Sequence, residues 1–299
     1  MELINIHKDV KELLDELNSI GRSMIFGGYL RDCFTCNIPN DVDIVTNIPI
    51  DILEEKYASY EKAKRRKTNS GFDVFSFKMH KTEKIFVEII STNMNLLEKA
   101  SQADYTINSL LYDGSNLIDL ENGVKDIKEG LVKEVDIEII KRDLKVRPYL
   151  WLKTLRLVSM TGYDLSEKTF KALNNEKSCI KEISDEIMQT EGHKTMNGKD
   201  PFKAMKLLSK MGFISPFNVN IIIGDVAVQP QQKLCLLAVL SNKQVVDDFV
   251  EFYRFQQTLI EKYENLYEMY NSDEKLPSRF RNQIITIKKI VREKGVQAR

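Results

Sequence analysis

The chain has 299 residues, 42% hydrophobic and 29% charged, which is enough apolar material for two or three separately cored modules. Lys+Arg and Asp+Glu balance at 44 each, so net charge gives no argument for an anionic partner. No run approaches the roughly 18 apolar residues of a membrane span, and the charged start "MELINIHKDVKELLDEL" lacks an apolar signal core, which excludes a membrane partner as an expectation. Four cysteines in a chain of this length do not make a disulfide framework, and a reducing, cytoplasmic compartment is expected.

In chain order, Ile6, Val10, Leu13, Leu14 and Leu17 mark a helical stripe over residues 6–19. Strand-like runs follow at 24–26, 42–45, 72–79 and 85–90, with one helix from Tyr29 to about Thr35. Cys33 and Cys36 form a C-x-x-C, but no second pair or nearby His pair completes a zinc site, so they read as one face of that helix. "KAKRRK", residues 62–67, reads as solvated surface or as a patch for phosphates. A change of pattern near residue 120 suggests a module boundary. Pro148 then opens a helix with Leu152, Leu155 and Val158 on one face and Gly162 to close it; Trp151 reads as core. Asp200-Pro201 is a capped start for a helix ending near Gly212. Residues 273–299 carry eight Lys/Arg against three Asp/Glu, a composition suited to a phosphate backbone. The expected fold class is α+β: a small mixed sheet with helices, followed by an all-helical remainder.

Chemistry concentrates in the first module. Strand alternation puts Asp41, Asp43 and Val45 on one face and Val42 and Ile44 on the other. Two neighbouring carboxylates repel and are costly to bury, a conflict that a divalent cation with oxygen ligands relieves. Glu88, in "KIFVEII", shares a face with Phe86 and Ile90 and reads as a third ligand or as a group that helps deprotonate an attacking hydroxyl. An edge-strand acid reaching solvent or pairing with a lysine is the plainer alternative. Gly27-Gly28 joins a strand to a helix start, where backbone N–H groups favour an anion. Arg31 can add a forked charge to the same phosphates, with Asp32 orienting it. These features together point to metal-assisted phosphoryl transfer.

"GGYLRD" followed by "DVDIVT" resembles the signature of the class II tRNA nucleotidyltransferase (CCA-adding enzyme) and bacterial poly(A) polymerase family, in the DNA polymerase beta superfamily. "FVEIIS", "ADYTINSLLYD", "LIDLENGVKDIKEGLV", "LKTLRLVSMTGYDLSEKTF" and "DPFKAMKLLSKMGF" resemble later segments of that family in the same order, covering roughly residues 20–215. The resemblance implies a nucleotidyltransferase head at 1–120, a neck at 121–180 and a helical body and tail at 181–299. It implies addition of nucleotides from NTPs to an RNA 3′ end, above all that of tRNA, using Mg²⁺ (or Mn²⁺) and releasing pyrophosphate. Asp41, Asp43 and Glu88 are then the catalytic and metal-binding acids. Gly27, Gly28 and Arg31 hold the triphosphate, Asp104 and Asn108 face the sugar, and Lys153 and Arg156 are the basic residues retained along the neck helix.

The chain also departs from the pattern. Gln102 and Ala103 stand where the family has two arginines. In the neck, Val146, Arg147 and Leu150 replace the acid, aspartate and arginine of E-D-P-x-R, so the base-reading pair of the family is missing and base selection is expected to be altered. Transfer to a protein or small-molecule acceptor, and a non-catalytic RNA-binding homologue, are the competing readings.

Overall fold

The computed structural model describes residues 4–35, 39, 41–68, 71–79, 85–100, 102–224, 226–272 and 277–295. The chain forms two compact units, one ending at Ile137 and the other starting at Glu138. The first contains α1 (Lys8–Asn18), β1 (Ser23–Phe26), α2 (Gly28–Phe34), β2 (Asp41–Thr46), α3 (Ile50–Tyr57), β3 (Lys64–Lys67), β4 (Asp73–Lys78), β5 (Phe86–Ser91), α4 (Leu96–Ala100), β6 (Leu111–Tyr112), β7 (Leu117–Ile118) and α5 (Gly123–Glu129). Strands β1 to β7 make one mixed sheet, in the order β3-β4-β5-β2-β1-β6-β7. β2 and β5 run parallel, while β1–β2 and β4–β5 are antiparallel.

Alternation explains how the sheet is buried. Val42, Ile44, Val87, Ile89, Phe75 and Phe77 share one face and are all at most 2% exposed, each burial contributing about 1.5–3 kcal/mol. α3 covers part of this face, with Tyr57 stacked on Phe77 at 4.9 Å and an interplanar angle of 11°. On the other face Met24, Val45 and Leu111 pack with Leu96 of α4. At the acidic end of β2, on the same face, Asp41 is exposed and Asp43 half-buried.

Two differences from the sequence reading have physical causes. Within "KAKRRK", residues 64–67 form an edge strand paired with β4. Its two arginines are paired on opposite faces: Arg65 reaches Asp51 (2.7 Å), Glu54 (3.2 Å) and Asp73 (3.7 Å), while Arg66 reaches Glu88. Such charges also oppose edge-to-edge pairing. Secondly, the first unit runs past residue 120. Segment 133–135 returns to pair with 104–106, with Thr106 N donating to Lys133 O (2.9 Å) and Val135 N to Asp104 O (3.2 Å). α5 is held by Thr106 Oγ1 on Asp126 Oδ2 (2.6 Å) and by Gly123, where a Cβ would fall 2.2 Å from Thr106 O.

The second unit is helical: α6 (Ile137–Val146), α7 (Tyr149–Thr161), α8 (Glu167–Asn175), α9 (Asp185–Met196), α10 (Pro201–Lys210), α11 (Pro230–Leu240), α12 (Lys243–Phe252), α13 (Gln257–Asn271) and α14 (Ser278–Glu293). In α7, Leu152, Leu155 and Val158 are buried as the spacing predicts, and so is Trp151, whose Nε1 donates to Leu173 O at 3.0 Å. Gly162 ends the helix at φ 70°. Asp200 caps α10, with Pro201 in its first position. α14 buries Ile284, Ile287, Ile290 and Val291 and leaves Arg281, Lys288, Lys289 and Arg292 exposed. No helix among the described residues is long and apolar enough to cross a membrane.

Candidate active site

Parallel pairing of β2 with β5 sets Asp43 directly beside Glu88. In-register neighbours on adjacent strands project from the same face, about 4.8 Å apart. Asp41 is two residues before Asp43 on that same face. The proximity shows in the electrostatics: the Asp43 carboxyl is pushed up to about 7, chiefly by burial and further by the charges of Glu88 and Asp41, while Arg66 pulls it down. Three carboxylates from two strands therefore share one local field. Glu88 Oε1 also accepts a hydrogen bond from Arg66 Nη2 at 2.7 Å.

The Gly-Gly turn abuts this cluster. β1 pairs antiparallel with β2 so that Phe26 faces Asp43, and the chain turns at the next residue. Gly27 adopts φ 80° and ψ −146°, a conformation open essentially to glycine alone, and a Cβ there would lie 3.6 Å from Asp43 Oδ2. Arg31 lies against the turn: its Nη2 is 3.2 Å from where a Gly28 Cβ would sit. The guanidinium is buried and held from two sides. Nε donates to Asp32 Oδ1 at 2.9 Å, Nη2 lies 2.8 Å from the same oxygen, and Nη1 donates to Asn108 Oδ1 at 2.6 Å. These contacts use three of the five donors of a guanidinium. Asp32 thus orients Arg31, as the sequence suggested.

The Asn108 contact joins segments 77 residues apart, and no local pattern signalled it. Asp104 is half-buried, and its backbone carbonyl pairs with Val135. Lys153 and Arg156 belong to the second unit. The Lys153 ammonium lies over the Tyr149 ring at 4.7 Å, and Arg156 Nη1 donates to Glu191 Oε1 at 2.9 Å. Around the turn from α6 to α7, Val146 is 73% exposed, Arg147 is paired with Asp143, and Leu150 is only 2% exposed. Leu150 is thus a core side chain. Cys33 is half-buried, its thiol pushed up to about 11 by burial, which disfavours a reactive thiolate; Cys36 lies outside the described residues.

Asp41, Asp43 and Glu88 offer the hard oxygen donors a divalent cation takes, and a cation would offset both the burial and the neighbouring charges that raise the Asp43 carboxyl. Among the described residues no group of three His, Cys, Asp or Glu side chains is arranged to hold a metal ion, and Glu88 is engaged by Arg66. The donor chemistry suits such a group, while the arrangement shown has Glu88 turned to Arg66.

Residues 23–133 match the family described as the poly A polymerase head domain. The CCA-adding enzyme of Lactobacillus delbrueckii subsp. bulgaricus is 25% identical over 217 residues, covering 69% of this chain and 54% of that one. The CCA-adding enzyme of Staphylococcus aureus is 22% identical over 275 residues, covering 81% and 68%. The chain thus spans about half the length of the first of these relatives. Among solved structures, the Bacillus stearothermophilus CCA-adding enzyme in complex with CTP aligns with a TM-score of 0.71 at 16% identity, covering 98% of this chain and 80% of that one. The Thermotoga maritima CCA-adding enzyme complexed with tRNA aligns at 0.59 and 14% identity, covering 95% and 80%. The α+β head with its helical continuation is accordingly the fold of the CCA-adding enzymes, and residues 23–133 carry the match to the poly A polymerase head domain.

Proposed function

We propose that this protein is a template-independent nucleotidyltransferase that adds nucleotides from NTPs to the 3′ end of an RNA, with tRNA as the primer, by two-metal phosphoryl transfer that releases pyrophosphate. The observation that carries this reading is the in-register pairing of Asp43 with Glu88 beside the Gly27-Gly28 turn. Asp41, Asp43 and Glu88 would hold Mg²⁺, which when bound neutralises phosphate charge and activates the attacking hydroxyl. The glycine turn allows close approach of the triphosphate, and Arg31, locked by Asp32 and Asn108, fixes a positive charge beneath it. Asp104 and Asn108 face the sugar, and Lys153 and Arg156 line the neck. The exposed basic residues of α14 grip primer phosphates, supplying affinity without sequence information. The compartment is the cytoplasm.

Base selection is altered in this reading. Leu150 is packed into the helical core and can offer a base no hydrogen bond, and Arg147 is engaged by Asp143. Incubating the protein with tRNA, Mg²⁺ and each NTP in turn, then sequencing the product ends, tests both statements. Extension should occur and should fall at least about 100-fold in Asp41→Ala, the scale of losing a transition-state charge stabiliser. Equal extension by wild type and D41A would remove the proposal, and nucleotide appearing on protein in place of RNA would transfer it to another acceptor.

A further inference from the structure

We infer that Arg66 is a positioning residue that occupies Glu88 in the cation-free protein and competes with the divalent cation for it. The inference rests on the metal-binding reading of Asp41, Asp43 and Glu88 given above. It begins with the edge strand β3. Register across the sheet carries Lys64 to Ser76, Ser76 to Glu88 and Glu88 to Asp43, so these residues share the face that bears the acids. Arg66, two residues after Lys64, projects from that face as well, and its Nη2 closes on Glu88 Oε1 at 2.7 Å. Arg65 projects to the opposite face, where Asp51, Glu54 and Asp73 hold it. β3 is therefore anchored through one arginine while its neighbour is directed at the acidic cluster.

The charge of Arg66 acts beyond its direct partner, since it is among the groups felt by Asp43. A single guanidinium offsets part of the repulsion among three carboxylates, and a divalent ion offsets more of it. The two cannot both use the same Glu88 oxygen. The side chains of Arg66 and Glu88 are 39% and 32% exposed, so the pair is open to water and salt and can be exchanged. Arg66 thus sets how much cation is needed to recruit Glu88, and recruitment frees a guanidinium on the face where phosphates arrive.

Mn²⁺ binding to the full-length protein without nucleotide, followed by electron paramagnetic resonance and calorimetry, tests this. Arg66→Gln should bind Mn²⁺ about fivefold more tightly than wild type at low salt, and the difference should shrink in 0.5 M KCl as exposed charges are screened. In an E88Q background R66Q should make no difference, and R66K, which keeps the charge, should stay near wild type. Thermal unfolding of R66Q and R66K confirms that the half-exposed edge position tolerates both. Equal or weaker Mn²⁺ binding by R66Q, or the same gain in the E88Q background, would overturn the inference while leaving the metal site standing. No Mn²⁺ binding by wild type or R66Q would overturn the metal reading itself, and this inference with it.

Discussion

Replacing Asp43 with Asn should stabilise the cation-free protein, by an amount that grows with pH. In the fold this carboxyl is pushed from 3.8 up to about 7 by burial and by Glu88 and Asp41. Between those values the folded state holds a proton that the unfolded chain gives up, so stability falls as pH rises through the window and levels off above it. The full difference corresponds to about 4 kcal/mol, and screening at this half-buried position reduces it to about 2 kcal/mol. Urea unfolding in EDTA from pH 4 to 8 reads the effect directly. Wild type and D43N should nearly coincide at pH 4 and separate by about 2 kcal/mol at pH 8, with D43N the more stable. Adding a divalent cation at pH 8 should then stabilise wild type and leave D43N unmoved. Parallel curves across the whole range would refute the raised Asp43 carboxyl on which this prediction rests.

Arg31→Lys keeps a charge but cannot bridge Asp32 and Asn108 with a planar fork, so the KM for NTP should rise about tenfold with a smaller change in kcat; steady-state kinetics with a saturating primer check this, and an unchanged KM would sever Arg31 from the nucleotide. Leu150→Ala should cost about 2–5 kcal/mol in thermal or urea unfolding, as expected for truncating a core leucine, with no shift in nucleotide preference. A changed preference at unchanged stability would mean that this position reads the base.

Local patterns carried a large part of the site. Alternation in "DVDIVT" was enough to separate Asp41 and Asp43 from Val42 and Ile44, because side-chain period in a strand depends only on the backbone. Gly27 was legible for a similar reason: its left-handed conformation is a property of one residue. Caps at Asp200-Pro201 and Gly162 were read from neighbours in the chain, and the structure has helices starting and ending there. The edge strand β3 was not legible, since four consecutive basic residues have no apolar period and become a strand only when β4 supplies hydrogen bonds, with acids on opposite faces pairing Arg65 and Arg66.

By itself the sequence determined which residue types stand at each turn, cap and strand face, and so the presence of two acids beside a glycine turn. Only the tertiary structure decided that Glu88 sits in register with Asp43, that Arg31 is shared between Asp32 and Asn108, and that Arg66 from an edge strand reaches Glu88. The two Glu88 contacts depend on which strands lie side by side, a choice made by burying Val42, Ile44, Val87 and Ile89 together, and the Asn108 contact on a segment 77 residues away; no window along the chain contains that information.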